Sequence, residues 1–464
     1  MPQIITVWDY IFLPLYFLVI FFIVKNQRKK MNPDFIENKY FLSGFFYKLL
    51  GGLGVCFVYV YYYKTGGDTL WYFLSSKTLP SNLFKSPLSY LSILFGNLSM
   101  ENFLTYGEDF KYILFTYDPD TFSVVRFTSL LTPVGLFLYL PTTIILASIS
   151  YIGVWKLFRI FCKEFPEINR NIAIAILFVP SVTFWGSGIL KDTYTLSASC
   201  WLLYSVYMVF VYKQKIIPNL FAIIIMSYIL FSIRPYMLYI GFTSIILMLT
   251  HNYISSVKSA FLRFLTIIVI VVVLWGGGIS AIVYIGSNST GQYSSIDGML
   301  KKASASQMDL SQSYYGENSF NIGNFEPTIS GILEKAPIAI NAGLYYPYIW
   351  KANNPVMLIA GIENLLILLL TFYVLILITV AIFNIGPKKM LKNLFDHPLV
   401  IFCLSYSIPF AFVVGLTTAN YGALVRYKIP LVPFFLVSLF IIIHKFNRSQ
   451  VDEKKDEKFK FKIK

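Results

Sequence analysis

The residues best suited to chemistry are a few charged side chains beside long apolar stretches. Asp68 follows Gly66 and Gly67 and precedes TLWYF. A carboxylate at a helix start is favoured by unpaired backbone N–H groups and the helix dipole, so Asp68 could simply cap a helix. A partly desolvated carboxylate at a membrane surface is also suited to deprotonating an acceptor hydroxyl. The residues alone leave both interpretations open.

A second group lies in the segment PSVTFWGSGILKDTYTL, residues 180–196, where proline and glycines break helical continuity. Lys191 and Asp192 follow this break and open the next apolar stretch. Asp192 could cap that helix, and Lys191 could extend its ammonium group to the membrane interface. The two residues could instead bind a lipid phosphate, with the lysine as the counter-charge.

A third group is the single arginine in SIRPYMLY, where Arg234 and Pro235 link two apolar stretches. An arginine between apolar helices is costly unless it is paired or reaches water. We therefore expect Arg234 either to bind an anionic substrate or to form an internal salt bridge with Asp68 or Asp192.

The fourth group precedes the last apolar stretch, in ANYGALVRYKIPLVPFF, residues 419–435. Arg426 and Lys428 flank Tyr427 there. A guanidinium group suits bidentate phosphate recognition, and lysine supplies a compact second charge. Basic anchoring at the membrane interface is the alternative interpretation.

The elements that must position these groups are membrane helices. Of the 464 residues, 56% are hydrophobic and 13% charged, whereas soluble domains average roughly 45–50% apolar and 25% charged residues. The sequence predicts an all-α, polytopic transmembrane bundle of about eleven spans, each long enough to cross the hydrocarbon core. The predicted spans are residues 7–25, 43–63, 129–155, 171–187, 193–212, 217–233, 236–251, 262–285, 355–383, 398–417 and 429–444.

The distribution of basic residues predicts the orientation of this bundle. The net charge is +15, and the basic residues cluster after odd-numbered spans. That pattern places these connections in the cytoplasm and the N-terminus outside, in an inner (plasma) membrane. It indicates membrane topology and argues against nucleic-acid binding. Residues 1–444 then form the membrane domain, and residues 445–464 form a charged cytoplasmic tail.

Two large connections face outward in this arrangement. Apolar residues of the loop 64–128 recur at helical rather than spanning length, which predicts amphipathic helices lying in the membrane interface. The loop 286–354 begins rich in serine and glycine and ends in AGLYYPYIWKANNP. Trp350 and its neighbouring tyrosines are typical of an interfacial aromatic belt.

Neither a metal nor a cofactor is predicted. The four cysteines have no paired short spacings, and the chain has only three histidines. Asp118 and Asp120 in YDPDT could join Asp68 at a metal ion. No ligand spacing specific to a metal supports that arrangement.

At these residues the chain resembles the C-type glycosyltransferases, multi-pass enzymes that take sugars from polyprenyl-phosphate carriers. The resemblance consists of an acidic residue in the first large outer loop, amphipathic helices after it, the turn PSVTFWGSGILKD, and the late segment RYKIPLVPF. It implies that Asp68 is the catalytic base. It also implies that the carrier phosphate is held by Arg426, with Lys191 or Arg234.

The resulting hypothesis is transfer of a sugar from a polyprenyl phosphate or diphosphate to a glycan, lipid or protein acceptor on the outer face. An ionised leaving group needs electrostatic stabilisation, which Arg426, Lys428 and Lys191 could supply. This hypothesis requires Asp68 and Arg426 to converge. The chain is also similar to polysaccharide polymerases of the cell envelope. A transporter or flippase would need ionisable residues at mid-depth, where the predicted spans have few, and a non-catalytic scaffold is a further alternative.

Overall fold

The structure is a computed structural model and consists of helices. It describes residues 4–32, 35–63, 67–257, 259, 261–262, 265–270, 272–273, 296–310, 312, 318–323, 326 and 328–462. Over this part of the chain, the only strand-like pairing is an isolated antiparallel bridge between Ser319 and Asn420. The predicted all-α class is confirmed there. Gly66, Lys258 and Arg263, and most of the predicted span 262–285, lie outside the described residues.

The helices follow one another along the whole described chain. Their bounds are α1 Val7–Lys29, α2 Phe41–Phe57, α3 Asp68–Thr78, α4 Pro87–Leu94, α5 Met100–Leu104, α6 Pro119–Ser129, α7 Tyr139–Glu164, α8 Asn169–Leu177, α9 Pro180–Trp185, α10 Lys191–Val206, α11 Ile216–Ile233, α12 Pro235–Leu249, α13 His251–Ser256, α14 Ile296–Leu310, α15 Ile329–Glu334, α16 Ala336–Tyr345, α17 Pro355–Ile385, α18 Pro387–Leu394, α19 Pro398–Thr417, α20 Tyr421–Tyr427 and α21 Val432–Lys462. Short π-helical turns at Val58–Tyr63 and Tyr207–Val211 extend α2 and α10.

Among the described residues, seven helices are long and apolar enough to cross a membrane. They are Val7–Lys29, Glu37–Tyr63, Tyr139–Glu164, Lys191–Val211, Ile216–Ile233, Pro355–Ile385 and Pro398–Thr417. An eighth is formed if α20 and the apolar part of α21, which meet at a 67° bend, are counted as one broken span. These helices fit a multi-pass membrane protein.

The structure differs from the predicted spans at three described places. The helix predicted to start at residue 129 starts at Tyr139, because residues 130–138 form turns in which Leu136 and Phe137 adopt positive φ. The span predicted at 171–187 consists of two short helices, α8 and α9. Pro180 is the first residue of α9, where its missing N–H group costs no hydrogen bond. The apolar helix α12 has only 15 residues.

The predicted membrane domain contains two compact units. Unit 1 comprises Met1–Asn169 and Ile176–Leu238, and unit 2 comprises Arg170–Ala175 and Tyr239–Lys464. In unit 1, α7 packs against α2 and α10, and α10 also packs against α11. The loop 64–128 contributes α3 to α6, short helices as its sequence predicts, of which α3 and α6 pack together. The location of these short helices at the membrane interface stays a prediction.

In unit 2, α16 packs closely against α19. Both helices carry an alanine followed four residues later by a glycine: Ala339 and Gly343 in α16, Ala411 and Gly415 in α19. A Cβ atom at either glycine would overlap the backbone carbonyl of the alanine on the opposite helix. Small residues therefore allow the two backbones to touch, as is common between membrane helices.

Candidate functional site

The turn that positions Lys191 and Asp192 is pressed against α2. Gly188 contacts Val55 so closely that a Cβ atom would lie 2.6 Å from the valine Cγ1 atom. The hydroxyl of Thr193 donates a hydrogen bond of 2.6 Å to the carbonyl of Gly188. The turn is thus fixed on both sides, and it places Lys191 and Asp192 in the first turn of α10.

Lys191 bonds to the start of α6. Its Nζ atom donates to the hydroxyl of Thr121 at 2.6 Å, and that hydroxyl donates to the carboxylate of Asp118. Asp118 also accepts from the Thr121 backbone N–H, which makes it the N-cap of α6. The chain Lys191, Thr121, Asp118 therefore ties the start of α10 to the start of α6 through one hydroxyl.

Four further charges act on the half-buried Lys191. They are those of Asp118, Arg234, Asp120 and Asp68. Three carboxylates and one guanidinium group thus share the surroundings of a single ammonium group in unit 1. Over the described residues, no group of three His, Cys, Asp or Glu side chains is close enough together to hold a metal ion.

Asp192 and Arg234 form a buried ion pair. The Arg234 Nη2 atom lies 2.8 Å from Asp192 Oδ1, and the two side chains are 7% and 0% exposed, respectively. Arg234 lies between Ile233, the last residue of α11, and Pro235, the first residue of α12, so it links the two helices. Of the partners expected for Arg234, the structure contains Asp192. That these two residues bind substrate stays a prediction, since here they bind each other.

Asp68 is the first residue of α3, half-buried, and the N-cap position is held by Gly67. A side chain at Gly67 would overlap the ring of Tyr59. The backbone just before Asp68 therefore lies directly on that ring. The next residue, Thr69, is buried, and its hydroxyl lies 2.9 Å from the hydroxyl of Tyr139. Neighbouring contacts thus fix the position of Asp68, whereas its role as a base stays a prediction.

Arg426 and Lys428 lie in unit 2, at the end of α20. Lys428 is 1% exposed, and its ammonium group donates three hydrogen bonds. Its acceptors are the carbonyls of Leu344 at 3.2 Å and Tyr346 at 2.9 Å, and Asn364 Oδ1 at 2.5 Å. An ammonium group has three protons, so these acceptors can use all of them. We therefore assign Lys428 a positioning role, and its contact with a carrier phosphate stays a prediction.

The sequence pattern does not single out two buried cations of unit 1. Lys48 lies in the middle third of the candidate span Glu37–Tyr63 and donates to the Gly186 carbonyl at 2.6 Å. Arg126 in α6 donates to the Leu94 carbonyl at 3.1 Å, and its side chain is also buried. Both acceptors are at helix C-termini, where a cation is favoured. Lys48 is thus an ionisable residue inside a candidate span, whereas the expectation that the spans have few such residues at mid-depth stays a prediction.

Comparison with known proteins gives no relative. No family model matches the chain, and no curated protein or solved structure matches it.

Proposed function

We propose that the protein is a membrane glycosyltransferase that moves a sugar from a polyprenyl phosphate or diphosphate to an acceptor. The observation that carries the proposal is the environment of Lys191, a cation hydrogen-bonded to Thr121, whose hydroxyl in turn donates to Asp118, with Asp120 and Asp68 near enough for their charges to act on it. Charged side chains that converge among apolar helices are costly and therefore indicate a site. Sugar transfer from a phosphate carrier needs both a base and a cation.

The proposed reaction uses both kinds of group. The oxygen of the acceptor hydroxyl attacks the anomeric carbon of the sugar, and Asp68 accepts the proton of that hydroxyl. The bond between that carbon and the carrier phosphate oxygen breaks, and the phosphate leaves with the electron pair. Lys191 stabilises the leaving phosphate by its positive charge. Arg426 belongs to the other unit, so its convergence with Asp68 and its phosphate contact stay predictions.

The proposal includes a membrane arrangement finer than the seven candidate spans. In it, α8 with α9, α12 and the segment 262–285 complete a bundle of about eleven spans. The N-terminus and the loops 64–128 and 286–354 face outward from an inner membrane, and the charged tail is cytoplasmic. The acceptor is then an envelope glycan, lipid or protein.

The test is transfer by the purified protein in lipid nanodiscs. Polyprenyl phosphates and diphosphates carrying different sugars are supplied with a mixture of cell-envelope acceptors, and transferred sugar is measured by mass spectrometry. We expect one donor class to be consumed with formation of a glycosylated acceptor. If wild-type protein consumes none of these donors, the proposal is wrong.

Replacement of Lys191 by methionine is expected to lower the transfer rate by about 10²-fold, because the leaving phosphate loses a preorganised positive charge. The exposed Lys77 of α3 provides the control. Lys77→Met removes the same charge elsewhere and should leave the rate unchanged. Equal rates for Lys191→Met and wild type would remove Lys191 from the mechanism.

Lys48 favours one alternative function, transport of a lipid-linked substrate, since a buried ionisable residue inside a span often marks a substrate path. Proteoliposomes separate the two functions. A transporter would move a fluorescent polyprenyl-linked sugar across the bilayer without changing it, and a glycosyltransferase would consume it.

A further inference from the structure

The segment 345–350 of unit 2, YYPYIW, carries aromatic rings that continue into two neighbouring segments. Tyr348 and Trp350 stack at 4.7 Å between ring centroids, and Tyr346 meets Tyr348 at 4.8 Å. Phe320 then meets Tyr346 at 5.3 Å and stacks on Tyr421 at 5.0 Å. Five rings thus run from the buried Tyr421 through Phe320 to Trp350, whose side chain is 65% exposed. We call these five residues the aromatic ladder.

Buried polar side chains hold the backbone of the ladder. Lys428 donates to the carbonyls of Leu344 and Tyr346, and Asn364 Nδ2 donates to the carbonyl of Pro347 at 3.0 Å. Lys428 and Asn364 are 1% and 2% exposed and are bonded to each other. Placing a lysine and an amide among apolar helices is costly, and their hydrogen bonds converge on this short segment.

The outward end of the ladder is fixed as well. The hydroxyl of Tyr348 donates to Asn341 Oδ1 at 3.1 Å and accepts from Asn341 Nδ2 at 3.0 Å. The Tyr348 ring therefore cannot rotate away, and Trp350 stacks on it at an interplanar angle of 18°. The exposed face of Trp350 is consequently a rigid, flat surface. Lys351 and Asn353 are both exposed and follow it directly in the chain.

We propose that the aromatic ladder is a binding platform for a pyranose ring of the acceptor glycan, an inference that rests on the proposed function. A pyranose presents a flat face of C–H groups, which packs on a fixed indole ring, and a rim of hydroxyls, which bind amide and ammonium groups. Trp350 supplies the ring, and Asn353 and Lys351 supply the polar groups. Lys428 is a positioning residue that keeps the segment in place.

The proposal is tested by sugar binding without any donor, so that it can fail separately from the transfer reaction. The seven tryptophans are replaced by 5-fluorotryptophan, and the Trp350 resonance is assigned by its loss in Trp350→Phe. Cellotetraose, maltotetraose, chitotetraose and lactose are titrated into nanodiscs, and ¹⁹F spectra are recorded. We expect at least one sugar to shift the Trp350 resonance saturably. By isothermal titration calorimetry, Trp350→Ala should bind that sugar about tenfold more weakly than wild type.

Trp8 is the matched control, since it is 59% exposed near the start of α1. Its resonance should not respond to sugar, and Trp8→Ala should bind normally. Lys428→Met should move the Trp350 resonance of the sugar-free protein, leave the other six in place and weaken sugar binding. If no sugar shifts Trp350, or if spin-labelled lipid headgroups broaden Trp350 and Trp8 equally, the segment is a membrane anchor and the proposal is wrong.

Discussion

Replacement of Asp68 by asparagine is expected to lower the rate of sugar transfer by about 10²–10⁴-fold, the range that general bases contribute. Asparagine preserves the size of the side chain but cannot accept the acceptor's proton at neutral pH. The N-cap of α3 is Gly67, so the substitution leaves the helix start intact. Rates are measured at saturating donor in nanodiscs.

Glu108 provides the control for this experiment. It is an exposed carboxylate in the same loop 64–128, and it is not one of the charges that act on Lys191. Glu108→Gln should transfer sugar at the wild-type rate. If Asp68→Asn were as active as wild type while Lys191→Met was slow, the base would be another carboxylate, and Asp118 and Asp120 would be tested next.

Replacement of Arg234 by methionine is expected to destabilise the protein by about 3–5 kcal/mol, because it leaves the buried Asp192 carboxylate without its ion-pair partner. Methionine keeps most of the apolar volume of the arginine side chain. The free energy of unfolding is measured in mixed micelles against denaturant. The variant Asp192→Leu should be destabilised for the same reason, since it removes the ion-pair partner of the buried guanidinium group.

The double variant Asp192→Leu, Arg234→Met should recover much of this loss, because no uncompensated charge remains. The pair between Lys445 and Asp396 is the control, as the aspartate side chain is 52% exposed. Breaking that pair with Lys445→Met should cost only about 0–1 kcal/mol. Equal losses at the two pairs would contradict the buried character of the Asp192 pair.

The sequence predicts the helical class and the helix start at Lys191 and Asp192, because hydropathy and helix-breaking residues act locally. It leaves Arg234 with an anionic substrate, Asp68 or Asp192 as its partner, without choosing among them. That choice depends on how α10 packs against α11, which no local pattern encodes. Polar contacts to backbone carbonyls cannot be predicted from the sequence either. The carbonyls of Leu344 and Tyr346, which accept from Lys428, have no side-chain signature.

Average hydropathy also does not reveal single ionisable residues within apolar stretches. Lys48 is one charge in a segment whose average hydropathy stays high, so averaging conceals it. The prediction of one continuous span at 171–187 has a similar cause, because the apolar composition of the segment outweighs the break at Pro180. Composition therefore locates membrane segments better than it locates their interruptions.

The close approach of α16 and α19 limits how unit 2 can move. Gly343 and Gly415 each contact an alanine carbonyl of the opposite helix. If α16 slid along α19, the Cβ atoms of neighbouring residues would collide with the opposing backbone. The two helices must therefore travel as a single rigid piece during any conformational cycle. The segment 345–350 follows directly from α16. The exposed indole of Trp350 is therefore attached to this helix pair and moves with it, which a side chain on an isolated surface loop would not do.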